Sequence, residues 1–352
     1  MPIMKFKNIL LIIALLNYCF SDIFAANLEP NMPFASLPQD FIDLFTGKQS
    51  AHLGKYVHMH RPEVYDQVVN QDTYYPFRLE CNLINNHAYE IVCDLSHVSQ
   101  VIELGPGSDS PVKAKSVPMV RALTGHLPIE IYSGVDINRE YAAGACKIIS
   151  DKFPNLKARI AHLDFTINSE LAKLKAEASQ KYNNIIICFG GTIFCAGKGN
   201  DVDIIIGNIS SLLKSGEYFI FGADISDNED ALKNAYFNEL SYQLMLNAMF
   251  GLKSTVGDNN FDATAFDPVF KWNKDTTTVE LFLKANRDQE VIINSHSYQI
   301  MKDILFNILN SRKTSICEIK RRLAAHGMEI IDVYETKDNF GNKFALLKTK
   351  KI

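Results

Sequence analysis

The stretch Gln100-Val101-Ile102-Glu103-Leu104-Gly105-Pro106-Gly107-Ser108-Asp109 decides how this chain is read. A strand-like run passes without a break into a turn that carries two glycines. Glycine lets the backbone approach a ligand because no Cβ stands in the way. Two further acids end apolar runs downstream, Asp136 in Gly134-Val135-Asp136-Ile137 and Asp164 in Leu163-Asp164-Phe165. In a doubly wound sheet the carboxyl ends of the strands form the ligand-binding edge.

An acid ending the second strand can accept both hydroxyls of a ribose, and a third polar position can meet an adenine amino group. That chemistry suits S-adenosylmethionine and predicts a methyltransferase. A dinucleotide dehydrogenase also uses a Gly-rich first turn. Its fingerprint asks for a third glycine at position 110, where this chain has Ser110, and for a ribose acid about 20 residues past the turn. Asp136 lies further on, so the dehydrogenase is the weaker reading. Asp136 and Asp164 could also serve as helix N-caps. Lys113 or Lys115 could pair with a cofactor carboxylate, or simply be solvated.

Beyond this turn the chain alternates strand and helix. Strands are expected at Gln100–Leu104, Ile131–Val135, Ala158–His162, Ile185–Phe189 and Tyr218–Gly222, with helices at about Lys113–Leu123, Arg139–Lys152 and Asp201–Leu213. This rhythm predicts an α/β fold with a doubly wound, mainly parallel sheet. The rhythm breaks after Asp224. A helix over Glu229–Phe250 and two antiparallel strands at Thr276–Ala285 and Gln289–Asn294 read as an insertion. A helix at Cys317–His326 and strands at Met328–Tyr334 and Lys343–Lys348 then complete the sheet.

The expected organisation is a leader at 1–26, an N-terminal part of a substrate lobe at 27–92 and a cofactor domain at 93–224. The insertion takes 225–295 and forms a second α+β lobe with the N-terminal segment; 296–352 returns to the main domain. At 352 residues and 47% hydrophobic content the chain can bury a sizeable core. Net charge is −4 with both signs interspersed, which gives no footprint for nucleic acid.

Lys5 and Lys7 precede an apolar stretch from Ile9 to Leu16, and Ala25-Ala26 follow. This has the layout of a signal peptide and is too short to span a bilayer. It predicts export with no membrane span after cleavage; a start at Met32 would leave the protein cytoplasmic. Seven cysteines without a Cys-x-x-Cys pair do not make a disulfide scaffold. His58-Met59-His60 lacks a third ligand at metal spacing, so no metal is expected. Neither a Gly-x-Ser-x-Gly elbow nor a Walker loop is present.

Several strings together resemble the histidine-specific S-adenosylmethionine-dependent methyltransferases, the histidine Nα-methyltransferases of the ergothioneine pathway. They are Tyr74-Tyr75-Pro76-Phe77-Arg78-Leu79-Glu80, Glu103-Leu104-Gly105-Pro106-Gly107, Leu163-Asp164-Phe165, Phe189-Gly190-Gly191-Thr192-Ile193 and Phe221-Gly222-Ala223-Asp224. Asn234-Ala235-Tyr236, Asn259-Asn260-Phe261-Asp262, Phe266, Trp272-Asn273 and Val279-Glu280-Leu281 continue the match, which spans about Val64 to Leu347.

The resemblance implies cofactor contacts at Glu103, Gly105, Gly107, Asp136, Asp164 and Phe165. It also implies that Tyr74 and Tyr236 surround the amino-acid substrate at the reacting amine, and that Glu280 binds an imidazole. Tyrosine oxygens or water would take the amine's proton. Two positions depart from the family. Cys195 stands where an Asn would grip the amino-acid backbone, and Phe282 where a small polar residue would follow Glu280. A thiol cannot replace a buried amide's hydrogen bonds. The expected acceptor is thus a small amine or amino acid, with histidine, the family's own acceptor, among the candidates. A peptide amine, or cofactor binding without catalysis, are the alternatives.

Overall fold

The computed structural model describes residues 37–46, 53–58, 60–178, 182–195, 201–256 and 261–352. Strands β1 (Gln100–Leu104), β2 (Ile131–Asp136), β3 (Lys157–His162), β4 (Asn184–Cys188) and β5 (Tyr218–Asp224) alternate with helices and pair in parallel. Then come β6 (Phe266–Asn273), β7 (Thr278–Ala285), β8 (Gln289–Ile293), β9 (His296–Ile300) and β10 (Leu305–Arg312). The chain closes with β11 (Met328–Lys337) and β12 (Lys343–Lys351).

The main sheet has the order β11-β12-β5-β4-β1-β2-β3, with β12 antiparallel to both β5 and β11. Strand succession reverses between β1 and β4, and that crevice is the switch point at which such sheets bind ligands. All residues of β1, β2, β4 and β5 are buried. Such near-continuous apolar runs are what parallel strands covered on both faces require. Helix Tyr75–Val92 turns Leu79, Leu83, Ile84, Ala88 and Ile91 inward at the spacing of one helix face. After β1 the chain enters a helix containing a π turn at Val112–Ser116, which buries both Lys115 and Ser116. Such bulges are frequent at functional sites.

The second lobe has a three-stranded antiparallel sheet, β10-β7-β6, and a hairpin of β8 with β9. Helix Glu239–Val256 packs on helix Leu37–Phe45, the 3-10 turn Leu53–His58 and helix Glu63–Val69. Here the structure differs from the sequence expectations. The strand at 276–285 pairs with β6 and β10 rather than with the 289–294 segment, whose partner is β9. The lobe's sheet therefore reaches Arg312, past the expected limit of 295. The single helix expected over Glu229–Phe250 is two, Glu229–Tyr236 and Glu239–Val256. Asn238 separates them, its Oδ1 accepting the Ser241 amide at 3.0 Å as a cap.

The leader-like residues 1–26, and residues 59, 259 and 260 of the quoted motifs, lie outside the described residues. Among the described residues no helix is long and apolar enough to cross a membrane.

Candidate active site

The carboxyl ends of β1, β2 and β4 open into a cavity of about 390 Å³. Gly105, Gly107, Asp136, Asp164 and Phe165 all line it. Gly105 and Gly107 have φ of 65° and 74°, a left-handed backbone that favours glycine. Asp136 is buried; its Oδ1 accepts the Asn138 amide at 2.8 Å and its Oδ2 the Gly107 amide at 3.3 Å. Asp136 is not the cap of the following helix. That role belongs to Asn138, whose Oδ1 accepts from Glu140 N at 2.9 Å. Burial pushes the Asp136 carboxyl up to about 7, against the pull of the two amides. Asp164 Oδ1 holds a local turn, accepting from Thr166 N at 2.9 Å and Thr166 Oγ1 at 2.5 Å.

Glu103 does not line the cavity. Its oxygens accept from Ser116 Oγ at 2.6 Å and Tyr132 Oη at 2.5 Å inside the core. Burial raises its carboxyl above the usual range. Its place is beneath the glycine turn rather than on the cavity wall. Lys115 pairs with Glu80 at 3.0 Å, and Glu80 also accepts the Gly190 amide at 2.7 Å. This pair pins the turn at Gly190 and Gly191 that leads to Thr192. Lys113 pairs with Asp109 at 2.8 Å on the surface.

The sequence reading missed Tyr65, Tyr141 and Leu309 and gave His58 and Thr192 no role at the cofactor, yet all five line the cavity. The Tyr65 ring lies 3.5 Å from where a Cβ on Gly107 would stand, and His58 meets it edge-on at 4.8 Å between centroids. Burial lowers the His58 pKa to about 4, so its imidazole is neutral at physiological pH. Nothing in residue spacing flagged these positions. His58 and Tyr65 arrive from the N-terminal segment, Tyr141 from the helix after β2, Thr192 from the turn after β4 and Leu309 from β10.

Neither Tyr74 nor Tyr236 lines the cavity; their rings meet edge-on at 5.5 Å, and Ser311 links Tyr236 to the cavity-lining Cys195. Tyr236 Oη accepts from Lys313 Nζ at 2.8 Å and from Ser311 Oγ at 3.4 Å. Cys195 Sγ lies 3.3 Å from Ser311 Oγ and lines the cavity. Burial raises both tyrosines well above their ordinary value and raises the Cys195 thiol. The tyrosines therefore stay protonated. They can donate or accept hydrogen bonds.

The structure does not bring Glu280 or Phe282 to the cavity. In β7, Leu281 stands opposite Leu309 and Val279 opposite Ser311. Directly paired residues share a face, and successive residues alternate. Leu309 lines the cavity, so Glu280 and Phe282 occupy the other face of that sheet. Glu280 instead accepts from Asn273 Nδ2 at 3.0 Å and pairs with Lys271 at 3.6 Å. The position on this sheet that meets the cavity is the apolar Leu309.

A seven-stranded sheet whose last strand lies antiparallel to β5, with a cavity at its switch point, has the layout of a class I, S-adenosylmethionine-dependent methyltransferase. The chain belongs to the histidine-specific, S-adenosylmethionine-dependent methyltransferase family, whose description matches residues 62–348. It is similar to the histidine N-alpha-methyltransferase of Mycolicibacterium smegmatis, at 22% identity over 232 residues, 65% of this chain and 68% of that protein. It is also similar to the N-methyltransferase imqF of Aspergillus flavus, at 21% identity over 268 residues, 73% and 71% of the two chains. Among solved structures, magnesium protoporphyrin IX methyltransferase from Synechocystis PCC 6803 matches with a TM-score of 0.45 and 11% identity, over 84% of this chain and 98% of that one.

Proposed function

We propose that this enzyme methylates the amine of a small amino acid whose side chain is less polar than imidazole. The observation that carries this reading is that Cys195 and Leu309 both line the cavity while Glu280 sits on the far face of its sheet. No carboxylate is thereby offered to an imidazole at Glu280, and the amide expected at position 195 is a thiol.

The residues present suit S-adenosylmethionine. A buried carboxylate aimed into a cavity, at the end of the second strand, suits a ribose diol. The left-handed glycines leave room for close backbone approach. Asp136 would accept the ribose hydroxyls, Phe165 and Asp164 would meet the adenine, and the turn at Gly105 and Gly107 would hold the amino-acid end. When bound, this cofactor supplies a methyl group activated on a sulfonium. The chain's own task is then alignment of the amine with that methyl group. Tyr74 and Tyr236 would offer aromatic rings to a cationic centre, which favours positive charge there. Since neither tyrosine takes a proton, the amine loses its own to water and reacts neutral.

Replacing Cys195→Asn tests this substrate contact in an assay of methyl transfer to histidine. A restored hydrogen bond is worth roughly 0.5–1.5 kcal/mol, or about 2- to 12-fold in kcat/KM. A folded variant with no gain on histidine would remove Cys195 from the account of selectivity.

A further inference from the structure

Behind the tyrosine pair lies Lys313, a lysine whose side chain is 1% exposed and which the chemistry above does not use. Its Nζ donates to Asp224 Oδ2 at 2.6 Å, to Tyr236 Oη at 2.8 Å and to Ser311 Oγ at 2.9 Å. An ammonium has three N–H bonds and no lone pair, so these contacts occupy it fully. Each partner comes from a different part of the fold. Asp224 ends β5 of the main sheet, Tyr236 closes the helix Glu229–Tyr236, and Ser311 lies in β10 of the second lobe.

The direction of these bonds has a consequence for the two hydroxyls. Both oxygens accept from the lysine, and the Ser311 hydroxyl donates in turn to Tyr236 Oη at 3.4 Å, so the proton left to donate outside the cluster is that of Tyr236. The competing acceptor for the Tyr236 proton is Asp224 Oδ2, at 3.5 Å. That oxygen is already taken at closer range by Lys313 and by Tyr75 Oη at 2.8 Å, while Oδ1 accepts the Ser226 amide at 3.0 Å. Remove the ammonium and Asp224 becomes an under-satisfied buried carboxylate, which draws the Tyr236 proton to itself.

We propose that Lys313 is a positioning residue for methyl transfer: by saturating Asp224 and donating to Tyr236 and Ser311, it keeps the Tyr236 hydroxyl as a donor toward the methyl acceptor. The inference rests on the reading that Tyr236 borders the acceptor. Lys313 itself touches neither acceptor nor cofactor and acts through Tyr236.

The test is a double-mutant cycle on the full chain, Lys313→Met with Tyr236→Phe, together with Lys313→Arg. Transfer from labelled S-adenosylmethionine is measured over the twenty common amino acids, with cofactor affinity and thermal melting followed in parallel. Lys313→Met is expected to lower kcat by about tenfold or more for whichever amino acid the parent enzyme methylates, while cofactor affinity stays within about twofold. In the Tyr236→Phe background the same change is expected to have little further effect. Arginine's planar fork cannot supply three tetrahedrally directed bonds, so Lys313→Arg is expected not to restore kcat. Should Lys313→Met fail to fold, Lys313→Met with Asp224→Asn removes both charges and is read in the same cycle. Unchanged kcat in a folded variant, or equal losses in both Tyr236 backgrounds, would overturn the proposal. An unmodified enzyme that methylates none of the amino acids overturns the acceptor reading first, and this inference with it; that failure is visible before any variant is compared.

Discussion

Gly107 and Asp136 are tied across the mouth of the cavity: the Gly107 amide donates to Asp136 Oδ2 at 3.3 Å, so the acid ending β2 also fixes the turn after β1. Asp136→Ala removes that tie along with the acceptor for the ribose hydroxyls. Charge-assisted hydrogen bonds contribute roughly 1.5–3 kcal/mol, so affinity for S-adenosylmethionine should fall by about tenfold or more. Isothermal titration measures it, and a folded variant with unchanged affinity would confine Asp136 to shaping the turn.

The same residue sets a pH dependence. Burial raises its carboxyl to about 7, and a ribose diol needs the ionised form. Cofactor affinity should therefore be full above pH 7 and weaken by about tenfold per pH unit below it. For the ligand-free protein the sign is the opposite. The folded state holds this proton more tightly than the unfolded chain does. Its contribution to stability is thus fully present below the ordinary value of 3.8 and is lost as pH rises through about 7. Asp136→Asn should flatten both trends, and titrations and melts from pH 5 to 8 would show a variant that does not.

Gly222 in β5 is needed for a reason unrelated to its backbone angles. A Cβ there would run into Glu80 Oε1 and come within 2.8 Å of the Phe344 ring. Glu80 is fully buried, pairs with Lys115 and holds the Gly190 amide. Disturbing a buried pair of this kind costs about 3–5 kcal/mol, so Gly222→Ala should lower the melting temperature sharply. Gly125, in helix Val117–His126, has nothing within 4 Å of its built Cβ. Gly125→Ala should be neutral or stabilise by up to about 1 kcal/mol. Equal melting temperatures for the two variants would contradict this account.

Glu280→Gln should leave kcat/KM for the preferred acceptor within about twofold, because the side chain lies on the sheet face away from the cavity. A large loss, confined to KM for the acceptor, would put Glu280 back at the substrate.

Much of the main sheet was legible because its strands are short, mostly apolar outside β3 and separated by amphipathic helices; the edges of β1 to β5 fall within two residues of the expectation. The glycine turn, Asp136 and Asp164 could be read because they follow directly on those strands. The second lobe was less legible. β6 contains Pro268, which its edge position tolerates but which hides a strand in sequence. β10 carries a register shift between Asn307 and Leu309 that breaks its alternation. Glu280 shows the cost: a local string placed the right strand in the lobe, but one residue of register decides which face a side chain takes. The Lys313–Asp224 pair joins residues 89 apart, a contact no local spacing announces.

The central claim is methyl transfer to a small amino acid less polar than histidine. Its most direct test is competition: purified enzyme, labelled S-adenosylmethionine, and an equimolar mixture of the common amino acids with short peptides of them, with products resolved by mass spectrometry. The account predicts label on the amine of an aliphatic or aromatic amino acid ahead of histidine. Efficient trimethylation of histidine as the leading product would contradict the substrate assignment, and label found only on peptide amines would contradict a small-molecule acceptor.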